Sequence, residues 1–307
     1  MFALRKKSKI RGLKDCSYIL VKRSKSEKVL FGVVFGVFTC YALTLVFPFL
    51  WLLMKSLEDP IFYDVNIMLK GPFAFPEKVV LKNYIDAFTK MTYNEVNFLG
   101  MIFNSAWYIA LGATWGMFWP ICTGYVFSKY NFKGKEIIYA LAIFSMTVPI
   151  IGSGGAYYRF IAFFNLYDSG PLFDLVTGTS GFGSGMLILY GAFKSISWSY
   201  AEAVFIDGGS NYTAFFKVML PQAMPIITAM IITNAIGNWN EYYSRMMYNP
   251  SYPTVATGLY FISLTIDRFG KPLYFSGLII SLIPVLLVFS AFSDKMLKSM
   301  SIGGLKG

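Results

Sequence analysis

The sequence predicts an all-α integral membrane protein: six transmembrane helices, both termini cytoplasmic, and a helical elbow on the cytoplasmic side between spans four and five. Three observations carry this. Apolar residues make up 56% of the 307 and charged ones only 14%, against roughly 45–50% and 25% in an average soluble domain, and the mean hydropathy is +0.54. The apolar residues gather into six runs near the roughly 20 residues that a bilayer crossing requires. The basic residues divide unequally between the two sides that such runs define.

The first run, Val29 to Met54, far exceeds the roughly 7 to 15 residues of a signal-peptide core and is read as an uncleaved span. Phe98 to Phe127, Ile137 to Phe164, Pro171 to Phe193, Ala223 to Tyr243 and Tyr274 to Phe292 follow. The third run is interrupted by Pro149, Gly152, Gly154 and Gly155, and the fourth by Gly178, Gly181, Gly183 and Gly185. Such breaks are tolerated where neighbouring helices or a cavity satisfy the freed backbone groups. Gly181 and Gly185 also have the small-xxx-small spacing of a close helix contact.

Residues 1–28 form a basic tail and 29–307 the membrane domain. The tail holds ten Lys and Arg, and with the loops after spans two and four and the C-terminus its side of the membrane holds eighteen, leaving nine opposite. Acids divide six to ten, so one face nets +12 and the other −1, which puts the termini inside. The tail is read as a topology anchor in contact with membrane lipid, not as a nucleic-acid site. There is no histidine, which removes the commonest general base and nitrogen ligand. Cys16, Cys40 and Cys122 lack metal-ligand spacing. No metal site and no catalytic constellation is expected. Phe269-Gly270-Lys271-Pro272 lacks the hydroxyl residue of a phosphate loop, so the chain by itself does not hydrolyse ATP.

Between spans one and two, Lys55 to Asn97, with Pro60, Pro72 and Pro76, is the largest extracytoplasmic segment and is long enough to offer a docking surface. Between spans four and five the chain reads SISWSYAEAVFIDGGSNYTAFFKVMLPQAMP, residues 195–225. Ser199 and Glu202 have capping-box spacing, Gly208 and Gly209 are helix stops, and a second helical stretch from about Tyr212 leads to Pro221 and Pro225. The elbow carries a small apolar face with Ala203, Val204 and Ile206, suited to a partner's groove.

Glu202, Ala203 and Val204, then Gly208, then Val218, Leu220 and Pro221 have the spacing of the EAA loop at about 199–221. In this the chain resembles the membrane subunits of bacterial ABC importers, in the carbohydrate-uptake branch of the second maltose-transporter permease. Phe75, Pro76, Leu81, Asn83 and Tyr84, Asn104 and Ser105, Gly237 to Glu241 and the ending Gly303 to Gly307 are similar too. The resemblance implies that the elbow is a coupling helix seated in a cytoplasmic ATPase subunit. Glu202, Ala203, Val204, Asp207 and Gly208 would form its contact and turn, and Leu220 and Pro221 its hinge into span five. It further implies a homologous second permease, an ATPase pair that binds Mg-ATP, an extracytoplasmic solute-binding protein and a multi-pass place in the bacterial cell membrane.

Polar residues inside spans are functional candidates because burying them in lipid is costly. Asn234, Asn238 and Glu241 fall at i, i+4 and i+7 on one face of span five, with Trp239 and Asn240 beside them. Amides and rings suit sugar hydroxyls and sugar faces; interhelical hydrogen bonds, and an ion pair from Glu241 to Arg245, are the structural alternatives. The expected function is therefore half of an ATP-driven import pathway for a carbohydrate, an oligosaccharide in the preferred reading. The alternative is a secondary transporter or channel for a small polar solute that works without an ATPase. That alternative calls for ionisable groups buried mid-span, whereas the charges here lie at span ends.

Overall fold

The computed structural model describes residues 25–148, 152 and 154–302, with side chains for 26–148, 152 and 154–292. The basic tail to residue 24, Pro149 in the break of run three, and the closing Gly303 to Gly307 lie outside the described residues. The described chain is mostly helical and divides between Trp51 and Leu52 into two units. The first unit contains most of α1, Lys25–Ser56, which is apolar around its circumference as a lipid-embedded helix must be.

The second unit opens on a compact cap. Helices α2, Tyr63–Lys70, and α3, Lys82–Lys90, precede a two-residue hairpin, β1 Thr92–Tyr93 against β2 Val96–Asn97, closed by Asn94 and Glu95 at positive φ. Here the segment that looked like a long loop acquires structure. Asn83 Nδ2 donates to Ser56 O at 2.9 Å and Glu58 O at 2.8 Å, and the Tyr84 and Ser56 hydroxyls meet at 2.6 Å. Lys55 Nζ bonds Glu58 Oε1 at 2.5 Å and Ala74 O at 3.1 Å, with both charged groups buried. Burial, with the Glu58 and Asp64 carboxylates adding to it, pushes the Tyr63 phenol up to about 12.

Helix α4, Phe98–Lys129, starts where Asn97 accepts a hydrogen bond from Gly100 N at 2.8 Å. It lies against α8, Ser184–Ser195, and α11, Leu220–Asn240. The third run is two helices, α5 Lys135–Thr147 and α6 Gly154–Phe163, and the fourth is α7 Pro171–Thr177 followed by α8. A 13-residue helix is about 20 Å long, short of a ~30 Å hydrocarbon core, so none of these pieces crosses alone. Among the described residues three helices are long and apolar enough to do so: Ser26–Ser56, Asn211–Asn240 and Lys271–Phe292. Helix α4 has the length as well, with Asn104, Trp107, Tyr108, Trp115 and Trp119 along it.

Both glycines of the Gly181–Gly185 pair face α4, where added Cβ atoms would stand 2.9 Å from Thr123 Cγ2 and 3.5 Å from Pro120, although only Gly185 lies within a helix. Gly181 precedes α8, and its carbonyl accepts from Thr123 Oγ1 at 2.5 Å, while Gly185 faces Pro120 and Met230. Helices α4 and α8 also meet closely at Gly124, where a Cβ would stand 2.8 Å from that of Leu189.

The elbow is α9, Ser199–Ile206, and α10, Asn211–Ala214, which runs through a π-helical turn, Phe215–Met219, into α11. The remaining helices are α12 Tyr243–Tyr248, α13 Val255–Leu264, α14 Ile266–Phe269 and α15 Lys271–Ile302. A cluster of Tyr125, Leu189, Phe193, Ala201, Ala214, Met219 and Ala223 joins the elbow to α4, α8 and α11. A second, with Met91, Phe98, Met101, Val255, Leu259 and Leu273, joins the cap to α4, α13 and α15.

Candidate functional site

The elbow begins one residue earlier than capping-box spacing suggests. Trp198 already has helical dihedrals, so the Ser199 side chain sits too far into the first turn to cap, and the expected box does not form. Ser197 takes part of the task, its Oγ accepting from Ser199 N at 3.3 Å. The stop is a Schellman turn: Gly209 N bonds Val204 O at 2.8 Å and Gly208 N bonds Phe205 O at 3.0 Å, with Gly208 at φ +79°. That conformation costs any L side chain roughly 1–2 kcal/mol. Asp207 is the exposed residue before the turn. Ser210, which the sequence reading passed over, starts the second arm by accepting from Thr213 N at 3.3 Å.

The elbow face differs from the expected one. Val204 and Phe205 pack inward beside buried Ala201, whereas Glu202 and Ala203 are exposed and Ile206 and Tyr212 stand out at 86% and 78% exposure. Pro221 has no N–H to give Lys217 O, and its ring would crowd that carbonyl. The wider π turn beside it accommodates this, with Leu220 N bonding Phe215 O five residues back.

At the other end of α11 a cavity of about 350 Å³ opens between α4, α6, α7 and α11. Tyr108, Tyr157, Asp174, Thr177, Asn234 and Asn238, with Ser180 and Ser244, supply its polar lining. Asn238 enters because Gly112 makes room: a Cβ there would stand 2.3 Å from Asn238 Nδ2. Asn234 Nδ2 lies 3.1 Å from Met117 Sδ, and Asn234 also lines two adjoining cavities that extend along α8.

The other three residues singled out in span five do not join them. Trp239 turns to α15, where Nε1 donates to Ser281 O at 3.1 Å. Asn240 bonds Ile236 O of its own helix at 2.8 Å. Glu241 has left the helix at ψ 117° and caps α12, accepting from Tyr243 N at 3.0 Å and Ser244 N at 3.1 Å. The Glu241–Arg245 pair considered from the sequence is replaced by another.

Arg245, fully buried on α12, bonds Asp174 of α7. Its guanidinium carbon lies 3.8 Å from the centre of the Tyr108 ring and 5.2 Å from that of Trp107, a cation–π stack that a dry site strengthens. Asp174 Oδ2 and Arg245 Nε and Nη1 have no hydrogen-bond partner among the described residues. The signal was present in the sequence, since Asp174 stands inside an apolar run; its partner, 71 residues away, was not.

A polar web fixes this end. Asn249 exchanges two hydrogen bonds with Gly170 at 2.9 and 3.0 Å, and Asp168 holds Ser251 through N and Oγ at 2.8 and 2.6 Å. Asn104 Nδ2 donates to Pro253 O at 3.0 Å and Ser105 Oγ accepts from Val255 N at 2.9 Å, which explains why two polar residues sit inside α4.

Residues 120–301, more than half of the chain, match the family model of binding-protein-dependent transport system inner membrane components. The chain belongs to this family. The inner membrane component is 26% identical to the diacetylchitobiose uptake system permease of Streptomyces coelicolor, over 91% of this chain and 90% of that one. It is 24% identical to the sulfoquinovosyl glycerol transport system permease of Agrobacterium fabrum, over 85% and 89%. It is 23% identical to the arabinooligosaccharides permease of Halalkalibacterium halodurans, over 94% and 100%. Its fold resembles a chain in the crystal structure of a bacterial ABC transporter for the acidic polysaccharide alginate, with TM-score 0.73 and 18% identity, covering 89% and 98% of the two chains. A second structure, of an alginate transporter in complex with its alginate pentasaccharide-bound periplasmic protein, gives 0.58 at 13% identity, covering 89% and 96%.

Proposed function

We propose that this inner membrane component is one of two permease subunits of an ATP-driven carbohydrate importer, non-catalytic itself and powered by a separate ATPase pair that binds Mg-ATP. The observation that carries the proposal is the elbow: a two-turn helix stopped at Gly208, seated on its own apolar cluster and presenting Ile206, Tyr212, Glu202 and Asp207 to solvent. The outward, apolar and partly acidic side of this knob is left uncovered by the described residues and suits a groove in a partner. The orientation consistent with the charge distribution puts the elbow in the cytoplasm with both termini, and Asp174, Arg245 and the α2–α3 cap outside. Six crossings result if the paired pieces α5–α6 and α7–α8 each count as one.

Closure of the ATPase pair would move the elbow as a rigid handle on α11 and swing the cavity between its two openings, a rigid-body change biased by nucleotide and cargo. The cavity supplies half a pathway, with amides and hydroxyls suited to sugar hydroxyls, and the second permease supplies the other half. A solute-binding protein would deliver cargo at the cap side. The sugar-transport names of three relatives support the cargo class.

Gentle purification of the tagged chain from its native membrane, followed by mass spectrometry, tests this reading. Recovery of an ATPase and a second permease is the expected result. Recovery of this chain alone, in a detergent that preserves complexes, would favour transport without an ATPase.

A further inference from the structure

The geometry points to a charge rule for the cargo: the cavity at Asp174 admits neutral sugar residues and disfavours acidic ones. This rests on the carbohydrate-importer reading above. Among the described residues lining the cavity, Asp174 alone carries a formal charge. The arginine that pairs with it is not part of the lining. Arg245 lies behind the wall, fully buried, its guanidinium on the Tyr108 ring and bonded to the Asp174 oxygen Oδ1. A solute in the cavity therefore meets the negative end of the pair first.

Asp174 is itself nine-tenths buried, and its second oxygen, Oδ2, has no partner among the described residues. With that oxygen unpaired the carboxylate charge is compensated on one side only, and a neutral sugar at the wall tolerates this charge whereas a second carboxylate is repelled by it. The rest of the lining agrees. Thr177, Asn234 and Asn238 are uncharged groups that both donate and accept, matching hydroxyls without supplying the cation an acidic sugar needs.

The test isolates the membrane path. The complex containing this chain, purified from its own membrane into nanodiscs without the solute-binding protein, is titrated at pH 7 with glucose, galactose and mannose trisaccharides and with their uronic-acid counterparts. The neutral member of the best-bound pair is expected to bind about tenfold more tightly than its acid. Asp174→Asn should shrink that ratio to near one, and Asn238→Asp, which adds a carboxylate to the same cavity without touching the pair, should widen it. A ratio within one variant does not depend on how much of it folds, so a poor yield of Asp174→Asn does not spoil the reading, and Asn238→Asp reports independently. Equal binding of acid and neutral sugar by the unaltered complex, or a ratio that neither variant moves, overturns the charge rule while leaving the importer intact. If no saccharide binds at all, the carbohydrate reading falls first and the charge rule with it.

Discussion

The two ends of α11 are held by opposite means. At the elbow, α9 and α10 rest on aliphatic and aromatic side chains, and two hydrogen bonds donated by glycine amides set the turn. At the cavity end, α7, α12 and the segments around Gly170 and Asn249 are tied by a buried ion pair and reciprocal side-chain hydrogen bonds. Apolar packing is non-directional, so it would permit the elbow to reseat if it moves as the proposed function requires. Hydrogen bonds and buried charges are directional and costly to leave unmade, so they hold the lining of a cavity in register. The difference teaches where this molecule is built to give and where it is built to hold.

The contrast is most directly broken at the ion pair. Arg245→Leu leaves Asp174 buried and uncompensated and should cost about 3–5 kcal/mol, read as a drop in the thermal midpoint of the purified complex. The double variant Arg245→Leu with Asp174→Leu should recover most of that loss. If the single and double variants melt alike, the pair is not what secures this end. At the elbow the expectation reverses. Gly208→Val forces a β-branched residue to a φ of +79°, so transport should fall about tenfold, a 1.4 kcal/mol effect, while membrane level and thermal midpoint stay nearly constant. Undiminished uptake would remove the elbow from the transport cycle.

Asn238→Leu probes the lining between those ends. It should change the concentration dependence of uptake several-fold with little change in stability, and unaltered kinetics would make the amide a packing residue against Gly112. The smallest effect belongs to the cap. Tyr63 binds its proton more tightly when folded, at about 12, than its ordinary 10. Its contribution to stability is therefore full below pH 10 and is lost as pH rises through 12. Tyr63→Phe should flatten that alkaline decline in a melting series, and an unchanged decline would assign it to other groups.

Much of this was legible in the sequence, for physical reasons that differ by element. Helices α1, α4, α11 and α15 announce themselves because long apolar runs have few alternatives, and the breaks in runs three and four fall where glycine clusters stand. The turn at Gly208 was readable because one backbone conformation selects one residue type. Side-chain partnerships across the fold were not readable. Asp174 and Arg245 are 71 positions apart, and Arg245 has an acid at Glu241 that looks like the natural partner on a helix. Helix α11 ends at Asn240, and that is what turns Glu241 into a cap and frees Arg245 for Asp174. The same event removed Glu241 from the stripe formed with Asn234 and Asn238, because periodicity assumes a helix that continues. The Ser199 box failed for a related reason: the helix began one residue early.

The π turn at Phe215–Met219 carries one more residue than an α turn of the same height. Tightening it to α geometry would screw everything on its elbow side by about 100° and 1.5 Å around the axis of α11. Pro221 keeps the wide form from losing an i to i−4 bond at Lys217, since none can form there in either geometry. On the proposed coupling role, movement of the elbow against the cavity would therefore be a slip of fixed size: rotation in whole-residue steps, with the thread already cut.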